Sequence, residues 1–266
     1  MAKKSTAKPK YRKKAKSTHK TYRFYVLLLA IASLLIVASL LRTIYINRIG
    51  SYNSFENEHE QKYPVRGVDV SHHNEYINWS MLIEDNVSFV FMKSTEGTNH
   101  IDREYDYSYH LAKEVGLKVG SYHFYTFGED GVKQAKHFID NSNIISGDII
   151  PAIDVEHSNI NHRITTKESY NKMITELKKL ESAIHSHFGV RPFIYTNKEC
   201  YRLYIKDAFP DNPLWICDLH DEPNDEFDTW QIWQFSHKGS LAGAIGDIDL
   251  NFYRGTFDEF YSLLLP

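Results

Sequence analysis

The segment Ala152-Ile153-Asp154-Val155-Glu156 places two carboxyl groups two residues apart, behind an apolar approach formed by Ile149 and Ile150. Residues two apart on a strand project from the same side, so Asp154 and Glu156 leave one strand end together. Carboxyls held that close resist ionising together. One stays protonated near neutral pH while the other carries charge, which is the division of labour that glycoside hydrolysis needs. The same pair would also serve as a solvated loop start or a helix cap, so its meaning depends on what other elements bring to the same place.

Those elements form an alternating series. Strand patterns at 65–70, 87–93, 117–125, 149–155 and 192–195 alternate with helical patterns at 79–85, 105–115, 131–141 and 166–188. Beyond about Phe209 the rhythm changes. Segments 214–217, 229–235 and 247–252 still read as strands, but the short intervals between them carry Gly, Pro, Asn and Asp instead of helical periodicity. The expected fold class is α/β, an irregular (β/α) barrel of about five βα units followed by strands joined by loops. In such a barrel the chemistry gathers at the carboxyl ends of the strands. The polar residues fall there: Asp69; Lys93 and Glu96; His123 and Tyr125; Asp154 and Glu156; Tyr195 and Asn197; Gln234; Asp249 and Asn251. Separate strands delivering acids, amides and aromatics to one rim favour an active site over a chance acidic pair.

The amino-terminal part has a different composition. Phe24 to Leu41 is an uncharged apolar run that, continued through Ile46, is long enough to cross a bilayer. Ten Lys or Arg residues and no Asp or Glu precede it, so the positive-inside rule puts the amino terminus in the cytoplasm and the rest outside. A cleaved signal peptide is the rival, with a usual apolar core of about 7 to 15 residues ending at small residues. Here Leu40, Leu41 and Arg42 follow Ala38 and Ser39, which favours an uncleaved anchor. The expected organisation is a basic cytoplasmic tail (1–23), a transmembrane helix (24–46), a polar linker (47–62) and one catalytic domain (63–266). With the basic tail set aside, 21 basic residues face 34 acidic ones, a balance of −13 that argues against nucleic acid as a partner. The tail itself is read as a topology signal and a lipid headgroup contact.

Two cysteines, Cys200 and Cys217, make neither a disulfide framework nor a zinc set; whether they pair is left open. His72 and His73 follow Asp69, but adjacent residues point apart and no third ligand is evident, so no metal is expected. No cofactor is expected either. Gly67 and Gly120 read as close-packing positions, and Lys93 with Glu96 as an ion pair at the mouth.

Several of these segments resemble glycoside hydrolase family 25 lysozymes. Arg66-Gly67-Val68-Asp69-Val70-Ser71 with Trp79, Lys93-Ser94-Thr95-Glu96-Gly97, and Gly120-Ser121-Tyr122-His123-Phe124-Tyr125 look like the first three strand motifs. The likeness continues through Asp154-Val155-Glu156, Pro192 to Thr196, Leu214-Trp215-Ile216, Trp230 to Phe235 and Asp247 to Asn251, in the family's order. The resemblance implies an N-acetylmuramidase that cuts β-1,4 bonds between N-acetylmuramic acid and N-acetylglucosamine in peptidoglycan glycan strands. It implies Glu156 as general acid and Asp154 as stabiliser of the transition state or as orienter of the substrate's acetamido group. Asp69 and Asp249 would complete the acidic floor, Asp249 being preferred to Asp247 because Asn251 follows it. Tyr122, Tyr125, Tyr195 and Trp233 would meet sugar faces, as would Trp215, unless they only fill the barrel; Gln234 and Asn251 would supply amides. Attack by the acetamido oxygen and attack by water both remain open. The alternatives are a chitinase-like hexosaminidase, disfavoured by Ala152 and Ile149 where that signature has Asp, and a wall-glycan-binding protein without turnover.

Overall fold

The computed structural model describes the backbone of residues 14–266, and the side chains of 22–43 and 59–266. Two units divide at residues 59 and 60. In the first, helix α1 (Lys14–Lys62) contains an apolar span, Tyr22–Thr43, of mean hydropathy 2.7, with none of its surface buried in the protein. At 1.5 Å per residue that span is roughly 33 Å long, the thickness of a bilayer's hydrocarbon core. The backbone stays helical through 47–62, the segment read as a linker. Residues 1–13 of the basic tail lie outside the described residues.

The second unit is a closed barrel with helices outside. Its elements run β1 (Val65–Val70), α2 (Trp79–Glu84), β2 (Val87–Glu96), β3 (His100–Ile101), α3 (Tyr105–Glu114), β4 (Lys118–Phe124), α4 (Gly131–Asn141), β5 (Ala152–Asp154), α5 (Lys167–Phe188) and β6 (Phe193–Asn197). After β6 come only a short helix α6 (Lys198–Cys200) and a π-helical turn, then β7 (Leu214–Cys217), β8 (Trp230–Gly239), β9 (Ile248–Tyr253) and α7 (Phe257–Phe260). The sheet order is β1-β9-β8-β7-β6-β5-β4-β2-β3, and the β1–β2 pairing closes a ring of eight strands that leaves β3 outside as a hairpin arm of β2. Every pairing from β1 and β2 round to β8 is parallel, whereas β9 is antiparallel to both its neighbours. The β8–β9 interval is too short for the crossover that a parallel strand requires.

Large aromatics fill the barrel. Phe89 and Phe91 of β2 are fully buried, and the Phe91 ring lies 4.6 Å from that of Trp215. Their neighbours must lack a Cβ: one added at Gly67 would sit 2.3 Å from the Phe89 ring, and one at Gly120 would sit 2.4 Å from the Phe91 ring. Each buried phenylalanine contributes about 1.5–3 kcal/mol of transfer free energy, so these two glycines exchange their own side chains for larger ones. The amino end of the barrel is closed by Phe260, Leu263 and Leu265, with Leu265 N–H donating to Asp148 O and Ile150 N–H to Leu263 O. That last bond shortens β5 relative to the apolar run 149–155, because Ile149 and Ile150 are spent on other partners and Pro151 has no N–H to give.

Candidate active site

The open end of the barrel is a cleft of about 420 Å³. Asp69 near the end of β1, Asp154 at the end of β5 and Glu156 two residues later reach it from parallel strands. Asp249 arrives from the opposite chain direction. It is the second residue of β9, and the antiparallel register sets it directly beside Asp69. Tyr122, Tyr195 and Trp215 form apolar wall, with the Tyr195 and Trp215 rings 4.7 Å apart, edge to face.

Asp69 is the best-supported carboxyl. Its Oδ2 accepts from Gln234 Nε2 at 2.8 Å and Asn251 Nδ2 at 2.7 Å, and it shares a hydrogen bond with Asp249. Each amide is itself oriented: Tyr195 OH donates to Gln234 Oε1 at 2.8 Å and Trp215 Nε1 donates to Asn251 Oδ1 at 2.8 Å. An indole N–H can only donate, so it must meet the amide oxygen, which turns the Asn251 NH₂ toward Asp69. Burial pushes the Asp69 pKa up, and these three hydrogen bonds pull it back toward the ionised form.

The other three acids lack such support. Burial, then the charge of Asp69, raises Asp249 to about 9, which makes it the protonated member that donates to Asp69. Burial, again followed by the field of Asp69, raises Glu156 to about 7. Asp154 is held well above the carboxylate range by burial and then by Glu156, and its buried Oδ1 has no hydrogen-bond partner. Lys93 opposes both shifts on the β5 side, and its ammonium is itself held 2.5 Å from Glu96 and 4.6 Å above the Phe124 ring. At neutral pH the cleft thus combines one amide-supported carboxylate with neighbours able to hold protons.

Residues 68–244, more than half of the chain, match the family model described as Glycosyl hydrolases family 25. The chain belongs to that family. It is 29% identical over 207 residues to Lysozyme M1 of Streptomyces globisporus, covering 72% of this chain and 68% of the relative. With the N,O-diacetylmuramidase of Chalaropsis sp. it shares 27% over 213 residues, covering 75% and 98%. The solved family 25 glycosyl hydrolase from Bacillus anthracis superposes with a TM-score of 0.69 at 33% identity, covering 75% of this chain and 93% of that one. This chain is a glycoside hydrolase, of the lysozyme family that its motifs resemble.

Within this family 25 hydrolase, Asp69, Asp154, Glu156, Asp249, Tyr122, Tyr195 and Gln234 come together in the cleft. Asn251 lies behind them, fully buried, as the support of Asp69. Tyr125 and Trp233, expected to face sugar, are placed elsewhere. On β8 the side chain of Gln234 points inward, so that of Trp233 points out, where its Nε1 donates to Asp218 O and its ring packs by Phe235 and Phe252. Tyr125 follows Phe124 on the opposite face and donates its OH to Met173 O on α5. Sequence reasoning missed Cys217, Leu219 and His237 as cleft residues. Cys217 was discoverable, since it shares the face of Trp215 two residues earlier. Both cysteines are free, and burial pushes each thiol up to about 12. Among the described residues no group of His, Cys, Asp and Glu could hold a metal ion.

Proposed function

We propose that this hydrolase is a membrane-tethered N-acetylmuramidase that cleaves the β-1,4 bond following N-acetylmuramic acid in peptidoglycan strands. The observation that carries the reading is Glu156, a carboxyl kept protonatable up to about pH 7 by burial and by the negative field of Asp69, in a cleft walled by Tyr122 and Tyr195. As general acid, Glu156 gives its proton to the glycosidic oxygen while the bond to the anomeric carbon breaks. Positive charge then grows on the sugar ring. The Asp69 carboxylate and the anion that Glu156 becomes offset it, while Asp154, held protonated by burial and by Glu156, offers the Oδ1 that lacks a partner in the free enzyme to the substrate's acetamido N–H and orients that group. Asp69, fixed by two amides, sets the field that keeps Glu156 loaded, and Asp249 holds the proton that lets two acids sit side by side.

The names of the relatives, a lysozyme and a diacetylmuramidase, support the substrate class. The span Tyr22–Thr43 behind nine basic residues, with Arg23 at its start, supports a single-pass anchor with the barrel on the outer side. The test is digestion of purified peptidoglycan by the full chain in detergent micelles. New reducing ends on muramic acid uphold the reading; ends on glucosamine, or no soluble fragments, overturn it. Sequencing the amino terminus of the membrane-extracted protein separates an anchor from a cleaved signal.

A further inference from the structure

Among the cleft residues that the carboxyl chemistry does not use, Asn197 at the end of β6, Cys217 at the end of β7 and Leu219 just beyond it share one lip. Parallel register sorts the inward-facing side chains there into two tiers. Asp154 pairs with Tyr195 and Tyr195 with Trp215, all three buried. Two residues further along come Glu156, Asn197 and Cys217, half-buried and nearer solvent, with Asn197 paired to Cys217. Past Asp154 the chain stays on β6, since Val155 N–H donates to Tyr195 O at 2.9 Å and Thr196 Oγ1 donates to Val155 O at 2.7 Å. Glu156 therefore leaves β5 beside the strand that carries Asn197.

Asn197 is oriented. Its Oδ1 accepts from Cys200 N–H at 3.0 Å as the cap of α6, and only the amide oxygen can accept, so the NH₂ is its free end. Among the described residues Nδ2 has no hydrogen-bond partner. Leu219 is held as firmly. A lone exposed leucine carries little meaning, but the buried Asp218 before it is engaged at each polar atom. Its N–H donates to Gln234 O, its O accepts from Trp233 Nε1, its Oδ1 accepts from His220 N–H and Asp221 N–H, and its Oδ2 meets Lys198 Nζ at 2.7 Å. Lys198 follows Asn197, so the amide and the leucine belong to one clamp across β6 and β7.

We infer that this lip is the subsite for the N-acetyl group of the departing glucosamine, with Asn197 Nδ2 donating to the acetyl oxygen and Leu219 carrying the acetyl methyl. The inference rests on the muramidase reading and adds to it the residues that read the leaving sugar. The position of the acid decides the side. A general acid stands against the oxygen of the leaving group, so the sugar that departs with the proton of Glu156 lies toward β6. In that sugar the linkage oxygen and the acetamido group flank the same ring carbon, so a ring seated on Glu156 brings its acetamido group to the next side chain of the tier. An acetamido group presents one strong acceptor and one methyl, and the lip presents one oriented donor and one apolar surface, its only charges being the paired Lys198 and Asp218. A free amine in the same place would set N–H donors against the N–H donors of Asn197 and leave Leu219 uncovered.

The experiment gives the full chain, in detergent micelles, peptide-free glycan strands from which part of the glucosamine N-acetyl groups has been removed and the muramic ones kept. Fragment ends are read by mass spectrometry. Each cut leaves one glucosamine at the new non-reducing end, which lay on the lip, and another just before the new muramic reducing end, which did not. Acetylated sugars should be enriched about tenfold at the new non-reducing ends, the ratio of kcat/KM for the two competing sugars, and stand at the strand average on the other side. Asn197→Asp keeps the oxygen that caps α6 and replaces the donor by an acceptor, so the enrichment should fall to near one or reverse in favour of the free amine. Leu219→Ala should lower it to about threefold. Strand-average composition at the new non-reducing ends with the unmodified protein, or enrichment confined to the other side, overturns the subsite and leaves the muramidase reading standing. An enrichment undiminished in a folded Asn197→Asp also overturns it, and the absence of new muramic reducing ends overturns both. The unmodified-protein comparison decides even if a variant fails to fold.

Discussion

The two sides of the cleft treat carboxyl groups in opposite ways. On the side of β1, β8 and β9, Asp69 receives two amide donors, each backed by a second donor, from Tyr195 and Trp215. On the β5 side, Asp154 has a buried oxygen with no partner, and Glu156 is governed by burial and the charge of Asp69. The first arrangement lowers the cost of an anion, and the second raises it. Acid chemistry near neutral pH needs both, because the proton on Glu156 is held partly by the charge kept at Asp69.

The sharpest way to break this asymmetry is to remove the proton itself. Glu156→Gln should lower kcat about 10³-fold, the scale of general-acid catalysis, with the thermal melt retained. Normal turnover in that variant would remove Glu156 from its role. Asp69→Asn attacks the other side and should cost about 10²-fold. It also carries a signature that simple damage lacks: without the field of Asp69 the pKa of Glu156 falls from about 7, so the alkaline limb of kcat/KM moves to lower pH. An unmoved limb would mean that burial alone sets Glu156.

Much of this division was legible in the sequence, and the rest was hidden for identifiable reasons. Asp154 and Glu156 were found because a strand-end pair declares its shared face. Gly67 and Gly120 were read as close-packing positions, and the rings of Phe89 and Phe91 occupy the space their side chains would need. Face parity misled at Trp233 and Tyr125, where an aromatic near a strand end was taken for a rim residue. Counting by two from Gln234 or from Tyr122 would have put both outside. The direction of β9 was not legible from its six residues, since alternation is the same read either way. Asp249 was expected at a strand's carboxyl end and stands at an amino end, reaching the same rim because the strand is reversed. The supporting amides were visible as residue types, but their service to Asp69 depends on a register between β1, β8 and β9 that no local pattern encodes.

Stability against pH tests the asymmetry without substrate. For Glu156 and Asp249 the folded pKa lies above the values of 4.5 and 3.8 taken for the free groups, at about 7 and about 9. Between those limits the folded state binds more protons than the unfolded one, so stability is full below about pH 4 and is lost as pH rises. The melting temperature should fall progressively from pH 5 to pH 9 as these two acids ionise. In Asp249→Asn the upper part of that decline, above about pH 7, should flatten. A decline unchanged in this variant would assign the loss to other groups.

The smallest expected effects compare two buried tyrosines, Tyr195 and Tyr125, that the sequence reading placed alike at strand ends. Tyr195 OH donates to Gln234 and so reaches Asp69 through one amide, whereas Tyr125 OH donates to a backbone carbonyl of α5 behind the barrel wall. Each Tyr→Phe change removes two neutral hydrogen bonds, the second being to Cys217 for Tyr195 and from Gly128 N–H for Tyr125, each worth about 1 kcal/mol of stability, and leaves the ring packing in place. Only the first change frees Gln234 to turn its NH₂ from Asp69. Tyr195→Phe should therefore lower kcat several-fold, about the effect of 1 kcal/mol, while Tyr125→Phe should shift the melting temperature and leave kcat and KM as they were. Equal kinetic losses in the two variants would mean that the cleft senses general loosening of the barrel and not the orientation of one amide.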